Sequence, residues 1–263
     1  MLILLPPSET KSAPSSGNPV DVTTLSWPQL QPQRERALKA LMKVSAQKNA
    51  LEVLGVGASL ASEVQRNTTL LEAPAAPALE VYTGVLFDAL DPGSFTVAQR
   101  TVADEVLVVI SALWGAVKAA DQIPAYRLSG ATALRGLGRS GGLKMSTYWK
   151  PHLNRHLCPE AQGQVVVDCR SATYAAAFQP APENTVTIKV VQMVKGQRKV
   201  VSHNAKHTRG LVARFLVDQL ANGAVLNTVQ AVADAVRQQW VVELTAPTSK
   251  KPGELTLILP EQE

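Results

Sequence analysis

MLILLPP, residues 1 to 7, places four consecutive apolar side chains, Leu2 to Leu5, directly before Pro6 and Pro7. A short apolar run without alternation is typical of a β-strand that is buried on both faces, and the two prolines end it. The run is too short for the core of a signal peptide or for a membrane span, and no basic residue precedes it. The sequence therefore predicts that this segment is a buried strand.

Further apolar runs predict more strands. VLVVIS (106–111) and VVVDC (165–169) are rich in β-branched residues, which favours central strands. TVTIKVVQMV (185–194) and KVVSHN (199–204) alternate more clearly and flank KGQR, which predicts a hairpin with Gly196 in its turn. The stretch ELTLILP predicts a last strand.

Helical periodicity is found over Arg34–Asn49, over residues 203–217 and over Val229–Val241. Strands mixed with helices predict an α/β (α+β) fold, with flanking helices around a mixed β-sheet. We expect one compact unit of residues 1–263, because the connector APAAPA (73–78) would leave little core in the part before it. In the first helix, the predicted buried face consists of Leu38, Leu41, Met42 and Ala46.

The positive charge is concentrated in the middle of the sequence. The chain of 263 residues has a net charge of +5, yet residues 106–217 alone hold 15 Lys and Arg against 4 Asp and Glu. The segments before and after are both slightly acidic. Such a distribution predicts a surface that attracts polyanions if the charges gather on one face, and it predicts nothing if they are scattered.

The two cysteines, Cys158 and Cys169, flank a predicted strand and do not form a spaced framework. That pattern does not indicate a secreted, disulfide-linked protein, so a reducing cytoplasm is the expected compartment.

The second helix-forming stretch, HNAKHTRGLVARFLV (203–217), contains no acidic residue, and the nearest ones are Glu183 before it and Asp218 after it. At 100° per residue, its basic side chains fall within an arc of about 160°, and its large apolar side chains lie opposite. Small residues within the basic arc would let a partner backbone come close. The pattern favours phosphate contacts, and a solvated helix face is the alternative. The basic residues are Lys206, His207, Arg209 and Arg214.

The segment SALWGAVKAADQIPAYRL (111–128) carries Lys118 and Arg127. Two short helices around a glycine-containing turn would present backbone N–H groups to a phosphate. The alternative is a packed connector with Trp114 and Tyr126 in the core.

PPSETK follows the first strand and offers Ser8, Thr10 and Lys11 at the place where open α/β sheets bind ligands. It lacks the GxxxxGK[ST] pattern of a phosphate-binding loop, so a plain turn is the alternative.

All four histidines fall into two i, i+4 pairs, His152/His156 and His203/His207, a spacing that can chelate a metal. Cys158 and Asp168 could complete such a site. No HExxH, CxxC or GxSxG pattern supports a metal centre or a nucleophilic triad, so we predict no metal, no cofactor and no catalytic residue.

Six stretches taken together resemble the YaaA family of peroxide-stress proteins, in order and in spacing. They are MLILLPPSETK, VYTGVLFDAL (81–90), ISALWGAVKAADQIPAYRL (110–128), STYWKPHLNRHL (146–157), VVVDCRSATY (165–174) and VVSHNAKHTRGLVARFL (200–216).

The resemblance implies a cytoplasmic bacterial protein that protects against hydrogen peroxide by limiting free iron and the DNA damage that iron promotes. It also implies a compact α/β unit with a helix-hairpin-helix element and a positively charged, DNA-binding cleft. Carried over by match, Lys118 and Arg127 belong to the hairpin element, and Lys206, Arg209 and Arg214 line the cleft. Three features depart from the family pattern: Glu9 and His207 stand where relatives can carry a basic residue, and a proline is missing from residues 111–128, near Lys118.

Three functions follow as hypotheses. The first is non-specific binding of double-stranded DNA without catalysis, obligate protein partner or membrane, through Lys11, Lys118, Arg127, Lys206, Arg209 and Arg214. The second is an enzyme acting on a phosphorylated or nucleotide-like small molecule near Lys11 and Lys206. The third is iron sequestration by the histidine pairs.

Overall fold

The first strand, β1 (Leu2–Leu5), lies inside the main sheet of the computed structural model, which describes residues 1–138 and 141–261. All four of its side chains are buried. Its neighbours on the two sides are the strands of the VLVVIS and VVVDC runs, so that Ile3 is paired with Leu107 on one side and Val167 on the other. The predicted buried strand is confirmed.

The strands of the described residues, in chain order, are β1, β2 (Ala76–Pro77), β3 (Leu107–Ser111), β4 (Gly115–Lys118), β5 (Gln122–Ile123), β6 (Ala133–Leu134), β7 (Leu143–Lys144), β8 (Val166–Asp168), β9 (Thr185–Val194), β10 (Gln197–Lys199), β11 (Val241–Thr245) and β12 (Gly253–Leu259).

The α-helices of the same residues are α1 (Gln31–Ser45), α2 (Ala50–Leu54), α3 (Ala61–Arg66), α4 (Ala78–Val81), α5 (Val85–Leu90), α6 (Val97–Val106), α7 (Met145–Ala161), α8 (Ala172–Ala175), α9 (Ser202–Ala221) and α10 (Val229–Val236). Short 3₁₀ turns lie at Pro28–Leu30, Ala58–Leu60, Asn67–Thr69, Pro92–Ser94 and Pro182–Asn184.

The main sheet has the strand order β11-β12-β9-β8-β1-β3-β4, and β10 continues β9 as the second arm of a hairpin. The five strands from β12 to β3 are parallel to one another, whereas β11 and β4 are antiparallel to their neighbours at the two edges. This is the predicted α/β class with a mixed sheet and flanking helices.

The chain builds this sheet outward in two directions from β1. It first moves to β3 and β4 on one side, and it then returns to the other side, where β8, β9 and β12 are added. The order of the strands therefore reverses between β1 and β8. At such a point the connections leave the sheet in opposite directions, which opens a crevice at the carboxyl ends of the two strands.

The helix-hairpin-helix element expected at residues 111–128 is not formed there. These residues, all of which the structure describes, contain no helix; β4 folds back on β3 through a tight turn instead. Ser111 Oγ accepts hydrogen bonds from the backbone N–H groups of Leu113 and Trp114, and Gly115 takes the positive φ of 76° that the turn requires. The packed-connector alternative is confirmed, because Trp114 and Tyr126 are buried.

Several predicted boundaries shift. The first predicted helix is α1, which begins at Gln31 and ends at Ser45 instead of Asn49. Ala37 and Val44 are buried and Met42 is half-buried, whereas Ala46 lies beyond the helix and is exposed. The predicted hairpin with Gly196 in its turn is confirmed, but its second arm ends at Lys199, and α9 begins already at Ser202.

The helix predicted to reach Val241 ends at Val236, because Val241 begins β11, a strand that the sequence pattern did not indicate. No described helix is long and apolar enough to cross a membrane.

Arg34 of α1 is fully buried and donates hydrogen bonds to backbone carbonyls alone. Its Nε donates to Trp114 O at 3.0 Å, and its Nη2 donates to Ser26 O at 2.6 Å and to Ala116 O at 2.8 Å. The side chain thereby ties α1 to the β3–β4 turn and to the loop before the helix. Burial lowers the pKa of Arg34 to about 10, so the guanidinium remains charged at neutral pH.

We expect Arg34→Met to lower the free energy of unfolding by about 3 kcal/mol or more, because the substitution leaves several buried carbonyl groups without a donor. Urea unfolding followed by circular dichroism measures this loss. Arg36→Met is the matched control, since Arg36 is exposed on the same helix, and its effect should stay within about 0.5 kcal/mol. Equal effects of the two variants would contradict the clamping role of Arg34.

Candidate anion-binding site

A cavity of about 460 Å³ lies at the carboxyl ends of β1 and β8, where the strand order reverses. Four segments form its wall: the loop after β1, the start of α5, the loop after β8 and the first half of α9. The lining residues are Pro6, Pro7, Ser8, Glu9, Thr10, Thr83, Gly84, Val85, Leu86, Phe87, Cys169, Ser171, Tyr174, Val200, Ser202, Ala205, Lys206 and Arg209.

Two cations of α9, Lys206 and Arg209, stand on one wall of this cavity. Lys206 is exposed, and Arg209 is half-buried with its Nε donating to Ile188 O at 3.0 Å. That hydrogen bond fixes the guanidinium while its two terminal nitrogens remain available. Among the residues that the structure describes, no carboxylate lies within ion-pair distance of either side chain.

α9 keeps these cations at the cavity because its small residues pack against α5. A Cβ at Gly210 would lie 2.1 Å from the Leu86 carbonyl oxygen and 2.8 Å from Ala89 Cβ. The small residues of the basic arc therefore allow the close approach of α5 of the same protein, and not that of a partner backbone. Ala213 and Val217, which lie on the same side of α9, are buried as well.

Hydroxyl groups of the loop after β1 and of the start of α5 are on the cavity wall as well. Ser8 Oγ donates to Thr10 O and accepts from the Thr83 N–H at 3.1 Å, and the hydroxyls of Thr10 and Thr83 lie 3.4 Å apart. These contacts hold the two segments together at the cavity. Neutral donors and acceptors therefore share the cavity with the cations.

Lys11 is not on the cavity wall. Its Nζ donates to Ser8 O at 2.7 Å and lies 4.1 Å from the centre of the Tyr126 ring and 5.4 Å from that of Tyr82. Burial lowers the pKa of Lys11 to about 7, so the amine is only partly charged at neutral pH. Lys11 therefore supports the loop that carries Ser8 and Thr10, and it adds little charge to the cavity.

Cys169 lines the cavity next to the positive charge of Arg209. Burial raises the pKa of this thiol to about 12, an effect that Arg209 only partly offsets. The sulfur is accordingly a neutral thiol at physiological pH, and it supplies neither a thiolate nucleophile nor a negative charge that would compete for the two cations.

The remaining predicted phosphate contacts are engaged within the protein. Lys118 Nζ lies 3.5 Å from Glu160. Arg127 lies 3.3 Å from the carboxylate of Glu9 and 3.5 Å from that of Glu63, and it donates to Glu9 O at 3.0 Å. The structure thus brings two of the six predicted residues, Lys206 and Arg209, to the cavity.

Arg214 joins α9 to the turn between α5 and α6. It lies 3.1 Å from the carboxylate of Asp218 and donates to Asp91 O at 3.0 Å and to Ser94 Oγ at 2.7 Å. Its guanidinium also covers the Phe95 ring at 4.8 Å. These contacts make it a packing residue in this structure, although it lies on the same helix as the cavity cations.

The histidine pairs do not gather further ligands. His152 and His156 lie on α7, and burial, with a smaller contribution from His156, lowers the pKa of His152. His203 and His207 are exposed on α9. Within residues 1–138 and 141–261, no group of three or more His, Cys, Asp or Glu side chains is placed to hold a metal ion.

Sequence reasoning missed Thr83, Gly84, Cys169 and Ser171 as parts of the site. The only local signal was the glycine in VYTG. Gly84 lies just before α5, has a φ of 86°, and donates its N–H to the carboxylate of Asp88 within that helix. Cys169 and Ser171 reach the cavity only because β8 lies beside β1, which no local pattern states.

Comparisons with known proteins give a consistent result. A family model described as peroxide stress protein YaaA matches residues 1–238. A UPF0246 protein of Streptomyces coelicolor is 42% identical over 269 residues, which cover 99% of this chain and 99% of that protein. UPF0246 proteins of Corynebacterium glutamicum and Corynebacterium efficiens are each 39% identical, cover 89% of this chain, and are themselves covered to 92% and 91%.

The lowered pKa of Lys11 predicts a pH dependence of stability. Between about pH 7 and pH 10 the unfolded chain holds a proton on this amine more tightly than the folded protein, so the free energy of unfolding rises with pH. Lys11→Met removes this slope. We therefore expect the variant to gain stability relative to the wild type as the pH falls from about 10 to about 7.

Urea unfolding of both proteins at several pH values measures the difference. A stability difference that is constant over this range would show that the amine titrates normally in the folded protein.

Proposed function

This chain belongs to the family of the peroxide stress protein YaaA, and we propose that it serves the response to peroxide by binding the phosphate backbone of double-stranded DNA without sequence preference. The observation that carries this proposal is the pair Lys206 and Arg209, whose charges are not compensated by a carboxylate of the described residues. Cations in such a position bind phosphate oxygens, and these contacts carry no information about the bases.

The surroundings of this pair extend the basic surface. Lys199, His203 and His207 are exposed at the end of β10 and along the first turns of α9. From residue 203 to residue 209 the helix rises about 9 Å, and successive phosphates of one DNA strand are about 3.4 Å apart along the duplex axis. The exposed basic rim is therefore long enough to follow more than one phosphate.

The N-terminus of α9 adds to this potential. The cap residue Val201 has no side-chain cap, and the first turn contains no acidic residue. The first N–H groups of this 20-residue helix and the positive end of its dipole thus lie beside the cavity, and no acidic side chain of the first turn offsets them.

The other predicted contacts have a supporting role in this proposal. Lys118, Arg127 and Arg214 are paired with carboxylates, so a phosphate would have to compete with a partner that is already in place. Lys11 loses part of its charge through burial. We propose that Lys206 and Arg209 make the contacts, that Lys11 and Arg127 hold the loop after β1, and that Arg214 fastens α9, whereas Lys118 lies away from the site.

Protection against iron follows from the same contacts. DNA carries a layer of condensed cations, and a protein that neutralises phosphates releases them. Iron ions held in that layer would be displaced where the protein binds. We propose that the protein limits iron-promoted damage locally in this way.

The enzyme alternative has one observation in its favour, namely a cavity of about 460 Å³ that offers room for a small molecule. The described groups on its wall include the neutral thiol of Cys169 and a Tyr174 hydroxyl whose pKa is raised by burial and which accepts from the Gly130 N–H. Neither is prepared to act as a base or a nucleophile at neutral pH. We therefore propose binding as the function of this site.

We expect Arg209→Ala and Lys206→Ala each to weaken binding to duplexes of unrelated sequence to the same extent, and to reduce the slope of log K against log salt by about one. Fluorescence anisotropy with two labelled duplexes between about 50 mM and about 200 mM salt measures both effects.

Lys118→Ala is the control, because this lysine is paired with Glu160 and lies off the cavity, so the slope should not change. Duplex affinity that is independent of salt, or equal effects of the Lys118 and Arg209 variants, would contradict the proposed contact site.

A further inference from the structure

We infer that the cavity at the carboxyl ends of β1 and β8 holds one nucleoside phosphomonoester, with its phosphate on Lys206 and Arg209 and its nucleoside inside. The inference rests on the proposed function for the phosphate contact, and it adds a ligand that the backbone of an intact duplex does not present. Its sources are the free nucleotide pool and the phosphorylated ends of broken DNA strands.

The size of the cavity indicates a ligand larger than a phosphate ion. A volume of about 460 Å³ lies within the range of small-ligand pockets, about 300–1,000 Å³. A phosphate ion alone would leave most of this space empty, and a duplex is too wide to enter it. The space therefore calls for a ligand that carries an organic part behind its phosphate.

Charged, apolar and hydroxyl groups occupy different parts of the cavity wall. Cations are restricted to the α9 wall, whereas Pro6, Pro7, Val85 and Val200 supply apolar surface and the serine and threonine hydroxyls supply hydrogen-bonding groups. A ligand with a charged end and a mostly flat, partly polar body matches that separation. The one acidic residue among the lining residues, Glu9, is held by Arg127 at 3.3 Å.

The two cations match the charge of a phosphomonoester better than that of a phosphodiester. A phosphomonoester carries about −1.5 to −2 at neutral pH, whereas an internal phosphodiester of DNA carries one negative charge. Two cations without carboxylate partners match the monoester better. The sequence after β1 lacks the Gly-rich loop of dinucleotide and triphosphate sites, so we assign the phosphate to the two side chains of α9.

The position of the cavity in the sheet is typical of a ligand-binding site. Open α/β sheets bind their ligands outside the carboxyl ends of the strands at the point where the strand order reverses. The cavity lies at that point, between the loops that follow β1 and β8.

Isothermal titration calorimetry with thymidine 5′-monophosphate and adenosine 5′-monophosphate tests the inference, with thymidine and inorganic phosphate as partial ligands. We expect each nucleotide to bind at least about tenfold more tightly than either partial ligand. Nucleotide binding no tighter than that of inorganic phosphate would overturn the inference.

Ser171→Leu probes the cavity itself, because Ser171 is exposed, has an extended backbone and makes no side-chain hydrogen bond among the described residues. The larger side chain should reduce nucleotide affinity at least about tenfold. Ala172→Leu is the matched control, since Ala172 is exposed and directly follows Ser171 but lines a different cavity. Thr83→Val, which removes one hydroxyl at nearly constant shape, provides a second variant and should weaken nucleotide binding.

Two DNA ligands distinguish the sources. If strand ends are the ligand, a duplex with a single-stranded 5′-phosphorylated end should bind more tightly than the same duplex with a 5′-hydroxyl end, and Ser171→Leu should abolish the difference. Equal binding of the two duplexes together with tight binding of free nucleotides would assign the site to the nucleotide pool.

The two proposals can fail separately. Loss of nucleotide binding with salt-dependent duplex binding intact would overturn the inference alone. Nucleotide binding that depends on Arg209, in a protein that does not bind duplexes, would overturn the DNA proposal and support the cavity.

Discussion

The burial of β1 between two parallel neighbours is the constraint on which the rest of the structure depends. Four apolar side chains without a polar face can be satisfied only in the interior of a sheet that is covered on both sides. Once β3 lies on one side and β8 on the other, the connections must leave the carboxyl edge in opposite directions. The cavity is therefore a consequence of the strand order, and the residues that line it come from wherever the chain passes that edge.

α9 connects this constraint to the chemistry. Its small residues allow close contact with α5, as the tight approach of Gly210 to the Leu86 carbonyl shows, and this contact sets the direction in which Lys206 and Arg209 point. Arg214, one turn further along, is used to fasten the same helix to the turn before α6. The basic residues of α9 thus have two different roles: Lys206 and Arg209 face the cavity, whereas Arg214 packs against the protein. The role of each residue depends on the segment that lies opposite it.

The sequence predicted the elements that depend on local patterns: the buried strand at Leu2–Leu5, the hairpin around Gly196 and the class of the sheet. It could not predict which cations are free. The partner of Lys118 is Glu160 and a partner of Arg127 is Glu63, and such pairs over long sequence distances exist only once the chain has folded. The prediction for residues 111–128 was wrong for a related reason. A buried Trp114 and the turn at Gly115 fit a tight strand pair as well as a helical turn.

Arg34 differs from the ion pairs of this protein in what holds it. Backbone carbonyls belong to the main chain, whereas the ion pairs of Lys118 and Arg127 depend on the side chains of Glu160, Glu9 and Glu63. Substitution of a glutamate can therefore release Lys118 or Arg127, whereas no side-chain substitution removes the carbonyl acceptors of Arg34. The junction of α1 with the β3–β4 turn is thus less vulnerable to sequence change than the loop that carries Glu9.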